Sequence, residues 1–218
     1  MMGNAPRFQS SREEAANSLI HLAGFGLSLA AAIVMVVLSS LQGTVRHIVS
    51  CSIYGGTLLF LYLSSTLYHF LTPGNTKRIF RLVDHSSIFL LIAGTYTPFT
   101  LVTLWGAWGW SLFGVIWGLA VLGISMRIFI KKKHPAVSTT TFLLMGWMIV
   151  IAIKPLILAI PLGGFVWLVA GGVFYTAGVC FFMLDHRYRY FHAVWHLFVL
   201  MGSVCHFISI LFYVLPRP

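Results

Sequence analysis

The apolar residues of this chain fall into seven runs, near 19 to 39, 47 to 70, 80 to 104, 109 to 130, 138 to 160, 164 to 184 and 191 to 215, separated by Gly, Pro or charge. A hydrocarbon core about 30 Å thick takes roughly 20 helical residues to cross, and lipid offers the backbone no hydrogen-bond partner, so each run reads as a spanning helix. Only 8% of the 218 residues are charged and 59% are hydrophobic, against roughly 25% charged in soluble domains. The expected fold class is an all-α membrane protein, a seven-transmembrane helical bundle over residues 18–218 behind a short polar segment at 1–17. No small-residue cleavage site follows the first apolar run, so a retained N-terminus is expected.

Orientation follows from the basic residues. Arg7 and Arg12 precede the first run; Lys77, Arg78 and Arg81 fall in the second connection; Arg127, Lys131, Lys132 and Lys133 in the fourth; Arg187 and Arg189 in the sixth. Of the fourteen Lys and Arg, only Arg46 and Arg217 lie on the other side, with Lys154 inside a run. This bias puts the N-terminus in the cytoplasm and the C-terminus outside, in a multi-pass membrane protein. Because the charge is dispersed over helix ends rather than gathered on one face, the net +10 is a topology signal and not a nucleic-acid footprint.

Local punctuation adds detail. Ser11 with Glu14 forms a capping-box pattern, which starts the first helix in the headgroup region. Gly114 with Gly118, and Gly172 with Thr176, are spaced to let helix backbones approach in lipid. Pro98 and Pro155 should kink or open their helices. Cys51, Cys180 and Cys205 have no metal-like spacing and read as free thiols.

Ionisable side chains inside a membrane span are costly and mark function by default. On this topology three helices bring such groups to the cytoplasmic end: His69 closes the second, Asp84 lies in the first turns of the third, and His192 and His196 open the seventh. The layer lies within roughly 10 Å of the inner interface. His192 and His196, at i and i+4, share a helix face and can reach one ion, with His69 as a third ligand. Three imidazoles with one position left open suit catalytic zinc, whereas a structural site is closed by four protein ligands. Asp84 is the acid that the spans bring there, placed to orient or deprotonate a water. Ser65, one turn before His69, can hold a substrate oxygen or a water. A single intramembrane histidine is often a hydrogen-bonded packing group; four such groups at one depth favour the metal site. Asn17 and His21, at i and i+4 where the first helix starts, can line the same region but suit supporting a ligand or anchoring at the interface better, and Ser203 and His206, deeper on the His192 face, read as chamber wall or interhelical hydrogen bonds rather than ligands. His47, His85, His134 and His186 read as ordinary, and Lys154 can snorkel outward.

Glu14, Asn17 and His21 before the first span, Ser65-x3-His69, Asp84, and His192-x3-His196 together resemble the hemolysin III family of bacterial membrane proteins. That family lies within the progestin and adipoQ receptor superfamily, which contains the adiponectin receptors. The resemblance covers essentially the whole chain. It implies zinc held by His69, His192 and His196, with Asp84 contacting it through water. The alkaline ceramidases look similar in the same Ser, Asp and three-His pattern, which implies hydrolysis of a lipid amide or ester and a role in membrane lipid homeostasis. The expected partner is thus a membrane lipid in the inner leaflet. Two other classes remain open from sequence: a permeabilising, cytolytic protein, as the family name implies, and a sensor of membrane state that binds zinc structurally. A light-driven pump is excluded, because the seventh run has no lysine for a Schiff base.

Overall fold

The first helix begins well before its apolar run because Ser10 and Glu13 close a capping box. The Glu13 carboxylate accepts from Ser10 N at 2.9 Å, and the Ser10 hydroxyl accepts from Glu13 N at 3.4 Å. The box thus sits one residue earlier than the expected Ser11–Glu14 frame, which leaves the Glu14 carboxylate free to reach the next helix. The computed structural model describes residues 9–130 and 135–216. Within these, α1 (Ser11–Gln42), α2 (Val45–Phe70), α3 (Asn75–Pro98), α4 (Ala107–Phe129), α7 (Leu162–Leu184) and α8 (Phe191–Tyr213) are long rods. The remaining span is assembled from α5 (Pro135–Trp147), a 3-10 turn and α6 (Ile153–Ala159). Among the described residues, seven helical segments are long and apolar enough to cross a membrane, as the hydropathy pattern requires. Arg7, Lys131, Lys132, Lys133, His134 and Arg217 lie outside the described residues.

Consecutive helices pack as neighbours from α1 to α4, α7 packs on α8, and α1 meets α8 to complete the bundle. The two prolines act as their chemistry dictates. Pro98 ends α3, and the chain continues as a π-helical turn over Phe99–Thr103, closed by Leu104 N donating to Phe99 O at 2.8 Å. Pro155 has no N–H for the Ile151 carbonyl and its ring crowds that turn, and the residues before it, Met148–Ala152, tighten into a 3-10 helix. The Tyr96 hydroxyl repairs this break: it accepts from Ile149 N at 2.8 Å and lies 2.9 and 2.8 Å from the Met145 and Gly146 carbonyls.

The glycine pattern departs from expectation. Gly114 and Gly118 face open space, and a Cβ on either would meet nothing, so this pair is not a packing seam within the chain. The Gly172–Thr176 row faces an indole rather than a backbone: Thr176 Oγ accepts from Trp147 Nε1 at 2.9 Å. Close approach falls instead to Gly164, Gly171 and Gly178, the buried residues of α7, whose seven-residue spacing follows the contact with α8, and to Gly109. A Cβ at Gly109 would lie 2.2 Å from the Thr100 carbonyl oxygen and 2.6 Å from that of Leu104. Backbone cannot swing aside, so Gly109→Ala is expected to destabilise the protein by about 1–3 kcal/mol. Gly118→Ala should be neutral, and thermal unfolding of both variants in detergent measures the contrast.

Trp105, Trp108 and Trp110 are exposed at the end opposite the N-terminus of α1, and the Arg46 guanidinium stacks 4.0 Å over Trp105. This aromatic collar suits a membrane interface. Lys154 is exposed on α6, within about 8 Å of that helix's outer end, and its long stem can carry the charge outward.

Candidate metal centre

His69 ends α2 and His192 and His196 open α8, so antiparallel packing brings them to one end of the bundle. One nitrogen from each ring forms a group in which all lie within 4.8 Å of one another. His69 Nε2 and His196 Nε2 are 3.1 Å apart, near the ~3.3 Å that two nitrogens adopt on a tetrahedral ion with bonds of about 2.0–2.1 Å. The ring positions follow from local structure. Tyr190, which caps α8, has a left-handed backbone (φ 61), costly for a residue with a Cβ. Its N–H is held by Glu13 Oε1 at 2.9 Å. That bond ties the start of α8 to the start of α1 and fixes the register of both α8 histidines.

Carboxylates set the tautomers. Glu14 Oε2 is 2.7 Å from His69 Nδ1, and Asp185 Oδ2 is 2.8 Å from His192 Nδ1. A carboxylate accepts, so each Nδ1 carries the hydrogen and each Nε2 presents a lone pair, the arrangement that carboxylate–histidine pairs give metal ligands. Lys77 Nζ, 2.9 Å from Glu14 Oε1, steadies the first pair from outside. The donor set therefore fits a metal ion: three imidazoles converge, two of them oriented from behind by carboxylates.

Polar atoms without protein partners surround the group. Asn17 Oδ1, both ring nitrogens of His21, Ser65 Oγ and His196 Nδ1 are all buried and unpaired. Buried polar atoms are rarely left so, and five in one place mark space for solvent or a ligand's polar groups. The His21 ring lies 3.7 Å from that of His196.

Asp84 is buried beside His85, whose Nδ1 is 3.4 Å from Asp84 Oδ2. It is not among the convergent ligands; it lines a chamber whose end is formed by His21, Asp84 and His196. This chamber, of about 160 Å³, has an almost wholly apolar wall and extends between α3, α5, α7 and α8 as far as Phe99 and His206. From Asp84 to Phe99 is about 22 Å along the helix. Ser65 lies on the His69 side and does not line the chamber.

Sequence reasoning placed the three histidines together, but it missed two features. Asp84 is not the only acid near them: Glu13, Glu14, Asp84 and Asp185, which are all four acidic residues of the chain, surround this site. His85 is Asp84's neighbour in space as well as in sequence, and His47 has a local role in the first turn of α2, where it accepts from Thr44 N at 3.1 Å. The available signal was the scarcity of acid itself, since a chain with four carboxylates keeps few without a task.

A multi-pass membrane protein with a largely buried three-histidine group able to hold a metal ion, one ring of which lines an apolar chamber, is the class that fold and site define. A family model described as "Haemolysin-III related" matches residues 9–207, and the chain belongs to that family. It is 44% identical to Hemolysin-3 of Bacillus cereus, over 95% of this chain and 94% of the relative. It is 42% identical to the Hemolysin-3 homolog of Bacillus subtilis (strain 168), over 95% and 97%. Monocyte to macrophage differentiation factor of Homo sapiens is 27% identical over 76% of this chain and 71% of its own length. No solved structure matches.

Proposed function

We propose that this protein is a zinc-dependent hydrolase of membrane lipids that cleaves an amide or ester bond at the inner-leaflet end of the bundle, and so adjusts lipid composition. The observation that carries this reading is that Asp84 and His196, one ring of the histidine group, line the same end of an apolar chamber suited to an acyl chain. His69, His192 and His196 would hold the zinc, which when bound lowers the pKa of water towards about 7 and polarises a carbonyl. Asp84 lines the chamber without joining the convergent nitrogens, and in this reading it takes the proton of the attacking water and returns it to the leaving nitrogen or oxygen. Water thus adds across the bond, giving a carboxylic acid and an amine or alcohol. The unpaired Ser65 hydroxyl, one turn from His69, can orient that water. The chamber walls bury the acyl chain and exclude bulk solvent from the reacting end.

The test is product release from liposomes. Purified protein is reconstituted with a ceramide-type amide or an ester lipid, stripped with chelator and reloaded with zinc, and free fatty acid is quantified by mass spectrometry. Release that stops on stripping and returns with zinc supports the hydrolase. Absence of release from every lipid by metal-loaded protein counts against it. Dye leakage from the same vesicles that persists in His196→Ala would favour the lytic activity named for the Bacillus cereus relative.

A further inference from the structure

A second polar locus lies on the chamber wall, far from the histidine group. Three hydroxyls meet there: Tyr62 donates to Ser203 Oγ at 2.8 Å, and Tyr175 Oη lies 2.9 Å from the same oxygen. Tyr54 donates separately to the Ser203 carbonyl at 3.3 Å. Three hydroxyls joined by two contacts carry three protons, so one has no acceptor within the chain of bonds. When Tyr62 donates to Ser203 and Ser203 to Tyr175, the spare proton belongs to Tyr175, which lines the chamber. The alternative leaves it on Ser203, enclosed between the two rings, where nothing further accepts it.

His206 stands beside Tyr175, with ring centroids 5.3 Å apart, and also lines the chamber. Its Nε2 is 3.2 Å from the Leu168 carbonyl, so that nitrogen carries the hydrogen and Nδ1 is an acceptor, buried and without a partner. The neighbouring polar lining residues are already engaged. Thr95 donates to Leu91 O, Thr176 donates to Gly172 O while accepting from Trp147, and the Tyr96 hydroxyl serves the broken fifth span.

We infer that Tyr175 and His206 form a subsite for a hydroxyl group carried partway along an acyl chain, so that the chamber selects hydroxylated over plain chains. This rests on the reading above that the chamber takes a lipid. A hydroxyl both accepts and donates, matching the spare proton of Tyr175 and the free Nδ1 of His206. Ser203 lies seven residues and His206 ten residues beyond His196 on α8, or roughly 10 and 15 Å along the helix, which places the hydroxyl mid-chain when the polar head is at the histidines. An apolar wall without such partners would reject a hydroxylated chain, because an unpaired buried hydroxyl is costly.

The experiment is a competition that needs no turnover. Detergent-purified full-length protein is mixed with equal amounts of a saturated fatty acid and the same acid carrying a mid-chain hydroxyl, and bound lipid is counted by native mass spectrometry. The expected result is about three- to tenfold enrichment of the hydroxylated acid, the size of one or two net hydrogen bonds. Tyr175→Phe should bring the ratio to about one, whereas Tyr54→Phe, which removes a buried hydroxyl away from the chamber, should keep it. Equal binding of the two acids by wild type overturns the subsite and leaves the lipid chamber standing. An undiminished ratio in Tyr175→Phe likewise overturns it, and binding of neither acid overturns the chamber reading as well.

Discussion

His196→Ala protein, purified beside wild type, is expected to lose nearly all of its bound metal. Four-ligand zinc sites bind with about 10–16 kcal/mol, so one ligand among three or four carries about 3–4 kcal/mol, roughly two to three orders of magnitude in Kd. His196 is central to the group: its Nε2 faces that of His69 at 3.1 Å, and its ring is 1% exposed, so water cannot easily substitute for it. The carboxylates behind the other two rings should give smaller, graded losses. Asp185→Ala removes the acceptor at His192 Nδ1 and frees the ring to rotate, which should weaken binding by about 10–100-fold. Asp185→Asn keeps an acceptor but loses the charge and should fall at the lower end of that range. Metal per chain by mass spectrometry, after dialysis against chelators of increasing strength, resolves the three variants. Full occupancy in folded His196→Ala would show that these rings pack against one another rather than converge on an ion.

That grading separates what the sequence made legible from what it hid. The spans were readable because hydrocarbon imposes length and apolarity on every crossing residue, and the prolines because a missing N–H breaks the ladder wherever it falls. The histidine group was readable for a similar reason. His192 and His196 share a face by helical period, and alternation of spans brings His69 to the same end. The partners behind them were not. Glu14 reaches His69 only because the capping box uses Ser10 and Glu13, a choice between two equivalent frames in Ser-Ser-Arg-Glu-Glu that tertiary contacts decide. Asp185 precedes its histidine by a turn whose left-handed residue, Tyr190, is held by Glu13 from a distant helix, and no local pattern announces such a bend. The Gly114–Gly118 pair shows the reverse error: the spacing is right for close packing, yet in this chain it faces outward, while single glycines at Gly109 and Gly171 take the tight contacts.

Asp84→Asn is expected to separate holding the metal from using it. The amide is nearly the same size, and the residue lines the chamber with His196 without joining the convergent group, so metal content should stay near wild type. An amide at this place cannot accept a proton from water. Hydrolysis of whichever lipid the reconstituted protein cleaves should therefore fall by about 10²–10⁴-fold, the usual worth of a positioned general base. His85, 3.4 Å from Asp84, offers a check on whether the loss is chemical. His85→Gln keeps a polar side chain next to Asp84 but alters its surroundings, and should lower the rate far less than Asp84→Asn. Three outcomes can be told apart by measuring metal and rate on the same preparations. Metal retained with the rate lost makes Asp84 the proton acceptor; metal lost as well makes it part of the ligand set; and a rate within a fewfold of wild type assigns Asp84 to packing against His85 and removes it as the base of the proposed hydrolysis.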